Sequence, residues 1–284
     1  MTHWTTIVAP EELSAALGQP GVVLVDCRHA LADADAGERE WRASHLPGSG
    51  HAHLDRDLSD HRKPPSQGRH PLPDAGDFNR TLARLGITAA SQVVAYDAGD
   101  GAMAAARLWW LLRLMGHARV AVLDGGVAAW RALGLAMEST APRIVPGHYA
   151  GRFDASAIAA TDDVAARLGE APGWLLDARA PERFRGEVEP LDPVAGHIPG
   201  ALNRPFAANL DSGRMRSPGE LRAAFQALIG ERAPADVVLS CGSGVTACHN
   251  LLAMSHAGLD GARVYAGSWS GWVSDASRPV AHGG

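Results

Sequence analysis

The chain has 284 residues, 46% of them apolar and 20% charged, enough for two domains that each bury a core. A net charge of −5, with no basic stripe carrying interleaved aromatics, excludes a surface built for nucleic acid. Three cysteines without framework spacing, no apolar run of membrane length, and a start (MTHWTTIVAPEELSAAL) without charged or apolar leader regions imply a cytoplasmic protein with no membrane contact.

Taken in chain order, apolar spacing predicts a helix over 10–17, a strand over 22–25, a helix over 77–85 and a strand over 93–96. A helix over 102–115 and a strand over 120–123 follow. Residues 141–155, rich in proline and glycine, read as a linker. Beyond it come a helix over 161–168, capped by Thr161-Asp162, and a strand at 175–176. Next are a helix over 218–228 with Pro218 at its first position, a strand over 237–239, a helix over 246–256 and a strand over 263–265. Near-continuous apolar strands alternating with helices imply an α/β protein whose mainly parallel sheets carry helices on both faces.

The pattern repeats with a period of about 145–150 residues. Asp26 answers Asp177, His45-Leu46-Pro47-Gly48 answers His197-Ile198-Pro199-Gly200, and Trp130 answers Trp272. Aligning VVAYD with VVLSC places Asp97 opposite Cys241, so one copy is chemically armed and the other is not.

Cys241 ends a strand, where ligands of open α/β sheets sit. Gly242-Ser243-Gly244-Val245-Thr246 is small enough for a tight loop whose N–H groups point inward, capped by a helix N-terminus. Such a nest favours a thiolate and makes it a nucleophile. A buried cysteine serving only as a small hydrophobe is the bland alternative. Phosphate-ester chemistry would want an arginine six residues after the cysteine, and position 247 is alanine.

The tandem repeat, HLPG and HIPG, CGSGVTA and the closing GSWSGW resemble the two-domain rhodanese-type sulfurtransferases over nearly the whole chain. The resemblance implies an inactive rhodanese-like domain over 1–140 and a catalytic one over 156–284, with the active site between them. It also implies a persulfide on Cys241 that passes to cyanide, a thiol or a thioredoxin-like protein, with no cofactor and no metal. A Cys-Gly-Ser-Gly-Val-Thr loop is similar to those of the members using 3-mercaptopyruvate, and a loop without cations suits thiosulfate poorly. Thiosulfate:cyanide sulfur transfer, and a non-enzymatic persulfide carrier, stay open as alternatives.

By the same resemblance Arg183 binds substrate together with the loop residues Gly242, Gly244, Val245 and Thr246. Ser243 forms a relay with His70 and Asp55, both from the first domain. One departure is Leu191, where mercaptopyruvate enzymes carry a second arginine; Arg204 is the candidate replacement. Arg185 reads as a surface charge. Cys27 and Cys248 read as packing residues, His45 and His197 as structural turn residues, and Trp269 and Trp272 as walls near the site. The remaining histidines show no metal-ligand spacing.

Overall fold

The computed structural model describes residues 3–101 and 103–283. The chain forms two units, and each contains one five-stranded parallel sheet. Unit 1 comprises the chain up to Asp60, Pro73–Asp154 and Ser212–Met215. Its strands run in the order Ile7–Val8, Val120–Leu123, Gln92–Tyr96, Val22–Asp26, Gly50–His51. Unit 2 comprises His61–Leu72, Ala155–Asp211 and the chain from Arg216. Its order is Ile158–Ala159, Arg263–Tyr265, Val238–Ser240, Leu175–Asp177, Leu202–Asn203. The repeat of motifs is therefore a repeat of topology. The strand order reverses direction along each sheet, so crossovers of the usual hand carry helices to both faces.

The three strands predicted in each half are the three central ones. Gln92–Tyr96 is buried at every position, as a strand covered on both faces must be. Both edge strands of each sheet are only two residues long. Two residues carry no alternation, so the sequence showed neither.

All six predicted helices occur with shifted ends. Ala104–Leu114 is buried on every side except at Arg113; Ala102, its predicted start, lies outside the described residues. Pro218–Ile229 begins with a reciprocal cap, Ser217 Oγ accepting from the Glu220 N–H while Glu220 accepts from the Ser217 N–H. Thr161–Ala165 is shorter than expected and Thr161 is not its cap. Asp163 accepts from the Ala160 N–H, and the Thr161 hydroxyl meets Tyr265 Oη at 3.0 Å. Helices Ala36–Ala43, Gly126–Ala132 and Ser268–Trp272 were not anticipated.

The cores repeat as well. Leu24, Val94, Tyr96, Leu123 and Trp130 pack in unit 1; Trp174, Leu175, Val238, Tyr265 and Trp272 pack in unit 2. Each such side chain contributes about 1.5–3 kcal/mol on burial. Trp130 Nε1 donates to the Ala136 carbonyl and Trp272 Nε1 to that of Pro279, both at 2.9 Å. His45 and His197 hold matching turns, bridging Glu138 and Ala281.

The segment 141–154 has no regular structure but is fastened to unit 1. Gly147 donates to Ala83, Gly151 exchanges two hydrogen bonds with Asn79, and Asp154 donates to Leu114. His61–Leu72 packs with unit 2, although the sequence places it within the first half. Among the described residues, no helix is long and apolar enough to cross a membrane.

Candidate active site

In unit 2 the chain leaves Leu175–Asp177 toward one sheet edge and returns to place Val238–Ser240 on its other side. The carboxyl ends of these two strands flank the topological switch point, where α/β sheets bind ligands. Cys241 is the first residue beyond Val238–Ser240 and is only 2% exposed.

Three elements fix it. The Cys241 N–H donates to Ser268 Oγ at 3.0 Å, and that hydroxyl donates onward to the Tyr265 carbonyl at 2.9 Å. The Cys241 and Gly242 carbonyls accept from the Trp269 and Ser270 N–H groups. The Gly244 N–H reaches Cys241 Sγ at 3.1 Å, the amide of the 242–246 loop that does so among the described residues. Its carbonyl accepts from the buried Cys248 thiol at 3.2 Å. Gly244 has φ +77°, and a Cβ there would stand 2.4 Å from the Ala266 carbonyl oxygen. Ser268 has φ +49°, a costly conformation for a residue with a side chain. Sequence reading missed Ser268; the GSWSGW motif was the available signal.

The segment carrying His70 reaches this loop through a backbone-to-backbone contact. A Cβ on Gly68 would come within 2.5 Å of the Gly267 carbonyl oxygen, and one on Gly271 within 2.9 Å of that of Ser66. The Arg69 N–H donates to Ser270 Oγ at 3.0 Å. His70, 8% exposed, then meets Ser243 Oγ through Nδ1 at 2.8 Å. The structure thus pairs Ser243 with a histidine of unit 2, where the sequence reading drew it from the first domain. Asp55 lies on the helix Leu54–Asp57 of unit 1.

Positive charge is supplied from outside the loop. A Cβ on Gly242 would lie 3.2 Å from Arg69 Nη2 and 3.5 Å from both Nη atoms of Arg183. This removes one reason for disfavouring thiosulfate, since the cations absent from 242–246 arrive from two other segments. Arg183 bonds Glu189 at 2.6 Å. Burial pushes the Glu189 carboxyl up, but Arg183 and the Leu191 and Asp192 N–H groups hold it below its usual range. Arg179, also missed, is buried against Asp177 and Trp269. Burial opposes its charge, yet Asp177, with Glu189 and Cys241, raises its pKa above the usual value.

Arg204 turns its Nε and Nη2 to Asn209 Oδ1 and the Ala208 carbonyl, and the guanidiniums nearest to a Cβ on Gly242 are those of Arg69 and Arg183. Arg185 pairs with Glu187 at the surface. Cys27 is fully buried, and burial pushes its thiol up. Among the described residues, one set of acidic or histidine groups comes close enough to hold a metal ion, Asp60, Asp74 and Asp77 of unit 1.

The matching loop of unit 1 is filled by the protein's own carboxyl. Asp97 Oδ1 accepts from the Gly99 and Gly101 N–H groups at 3.3 and 2.9 Å, while Oδ2 is buried with no hydrogen-bond partner among the described residues. Burial, reinforced by Asp100, raises its pKa to about 7. A carboxyl raised above its unfolded value stabilises the fold fully below pH 4 and loses that contribution as pH rises through about 7. Asp97→Asn is therefore expected to gain on the wild type by about 2–4 kcal/mol between pH 4 and 8. Denaturant unfolding across that range checks this; a difference independent of pH contradicts it.

Comparison with known proteins adds to this geometry. The rhodanese-like domain family matches residues 9–133 and 160–275. The chain is 48% identical over 279 residues to a probable 3-mercaptopyruvate sulfurtransferase of Pseudomonas aeruginosa, covering 98% of each chain. It is 40% identical over 268 residues to a putative thiosulfate sulfurtransferase, SseB, of Mycobacterium tuberculosis, covering 94% of this chain and 92% of the other. The crystal structure of SseA from Escherichia coli, a 3-mercaptopyruvate sulfotransferase, superimposes with a TM-score of 0.79 at 32% identity. That match covers 94% of this chain and 99% of SseA.

Proposed function

The chain belongs to the rhodanese-like family, and from that premise we propose that it moves sulfane sulfur from 3-mercaptopyruvate, through a persulfide on Cys241, to a thiophilic acceptor. The observation that carries the reading is the setting of Cys241 Sγ. It lies at the sheet's switch point, 3.1 Å from the Gly244 N–H, and the next-but-one residue, Ser243, is bonded to His70. The 48% identity to the Pseudomonas aeruginosa relative supports mercaptopyruvate as donor.

The Cys241 thiolate attacks the donor sulfur. The carbon–sulfur bond breaks, its electron pair passes to carbon, and pyruvate leaves as its enolate. Ser243, backed by His70, delivers the proton that the enolate takes up, and the persulfide's own proton restores the pair. Asp55 is the third member proposed for this relay. Gly242, Val245 and Thr246 form the rest of the nest around the outer sulfur, and Arg183 holds the donor's carboxylate. An acceptor thiolate then attacks that outer sulfur and releases Cys241. A small thiol, cyanide or a thioredoxin-like protein suits this last step. Three buried cysteines, none of them in a disulfide, suit the reducing cytoplasm.

Thiosulfate is the second reading, favoured by the guanidiniums beside Gly242 and by the Mycobacterium tuberculosis relative. Parallel assays of pyruvate release and thiocyanate formation separate the two, and mercaptopyruvate is expected to give the higher kcat/KM. Ser243→Ala should depress the mercaptopyruvate reaction by about 10²-fold, and thiosulfate transfer, which needs no proton for a carbon leaving group, far less. A higher kcat/KM with thiosulfate would overturn the donor assignment. Persulfide on Cys241 without turnover of either donor would favour a sulfur carrier.

A further inference from the structure

Two guanidiniums converge on the residue after Cys241, and the roles assigned so far use only one of them. Arg69 Nη2 and Arg183 Nη1 both lie within 3.5 Å of a Cβ built on Gly242. Neither atom has a hydrogen-bond partner among the described residues. Asp192 binds both arginines, its Oδ1 to Arg69 and its Oδ2 to Arg183 Nη2 at 3.5 Å. The Asp192 side chain is 3% exposed, against 32% for Arg69. One buried carboxylate therefore holds the two guanidiniums together while their remaining N–H groups face the space that a larger residue at 242 would fill.

We infer that Arg69 is a second carboxylate-binding residue for the sulfur donor, forming with Arg183 a clamp over Gly242. The inference rests on the proposed use of mercaptopyruvate. Two N–H donors this close can each take one oxygen of a single carboxylate, the geometry that arginines favour. In mercaptopyruvate two carbons separate the sulfur from the carboxylate. A carboxylate held over Gly242 thus leaves the sulfur directed at the neighbouring Cys241. Leu191, beside the acidic pair, adds no charge and is exposed. The selectivity follows from the same contact: an uncharged donor, with no anionic group to place over Gly242, gains nothing from Arg69.

The test compares Arg69→Ala and Arg69→Lys with wild type on mercaptopyruvate and on mercaptoacetone, which replaces the carboxylate by a methyl group. Arg69→Ala should raise KM for mercaptopyruvate about tenfold or more, with kcat within about twofold, and leave mercaptoacetone unaffected. Arg69→Lys, a point charge without the fork, should recover part of the loss. Calorimetric binding of 3-mercaptopropionate, which has the thiol and carboxylate but cannot release an enolate, reads the same contact without turnover. It should weaken about tenfold in Arg69→Ala. An unchanged affinity for 3-mercaptopropionate, or equal losses with both ketone donors, would overturn the role of Arg69. Normal 3-mercaptopropionate binding by a wild type that turns over no mercaptopyruvate would instead count against the proposed reaction.

Discussion

Cys241→Ser is expected to lose sulfur transfer from either donor by about 10⁴-fold or more, with folding unchanged. Serine fits the same pocket, and its hydroxyl can still accept from the Gly244 N–H. What it lacks is the thiolate, which alone can attack a divalent sulfur near neutral pH. Neither Cys27 nor Cys248 can substitute. Both are fully buried, and the Cys248 thiol is engaged with the Gly244 carbonyl. Steady-state assays of pyruvate and thiocyanate, with circular dichroism as the folding control, check this. Residual turnover within about 100-fold of wild type would place the chemistry on another group.

The second large effect is expected at Gly244. Its left-handed φ of +77° already costs a side-chain-bearing residue about 1–2 kcal/mol. The added Cβ would also stand 2.4 Å from the Ala266 carbonyl oxygen, and backbone cannot yield as a side-chain tip can. Gly244→Ala must therefore push the loop off the segment that precedes Ser268, the residue that holds the Cys241 amide. Stability should fall by about 2–4 kcal/mol. A displacement near 1 Å of the N–H facing Sγ should lower kcat by about 10²-fold. Denaturant unfolding and kcat are the two readouts. A variant as stable and active as wild type would show that the observed loop geometry is not required.

The sequence exposed whatever is local. Cys241, its glycine-rich loop and the paired histidine turns lie in short motifs, and the repeat showed which copy carries the cysteine. Each sheet's central strands were visible because burial on both faces forces continuous apolar runs. Two-residue edge strands leave no such trace. Of the groups around the site, Arg69 was hidden because its position depends on two glycines, Gly68 and Gly271, that let separate backbones touch. Ser268 was hidden because its role comes from a backbone conformation that residue identity does not announce. At Arg204 the charge was legible, but the hydrogen bonds that turn its Nε and Nη2 to Asn209 were not. The cation-free loop likewise argued against thiosulfate only until Arg69 and Arg183 were placed beside it.

The most direct test of sulfur transfer through Cys241 is a single turnover with mercaptopyruvate and no acceptor, followed by mass analysis of the intact and digested chain. One pyruvate per chain should appear together with one added sulfur on the Cys241 peptide, and a later thiol should remove that sulfur. Pyruvate formed without sulfur on Cys241, or sulfur found on Cys27 or Cys248 instead, would contradict the account.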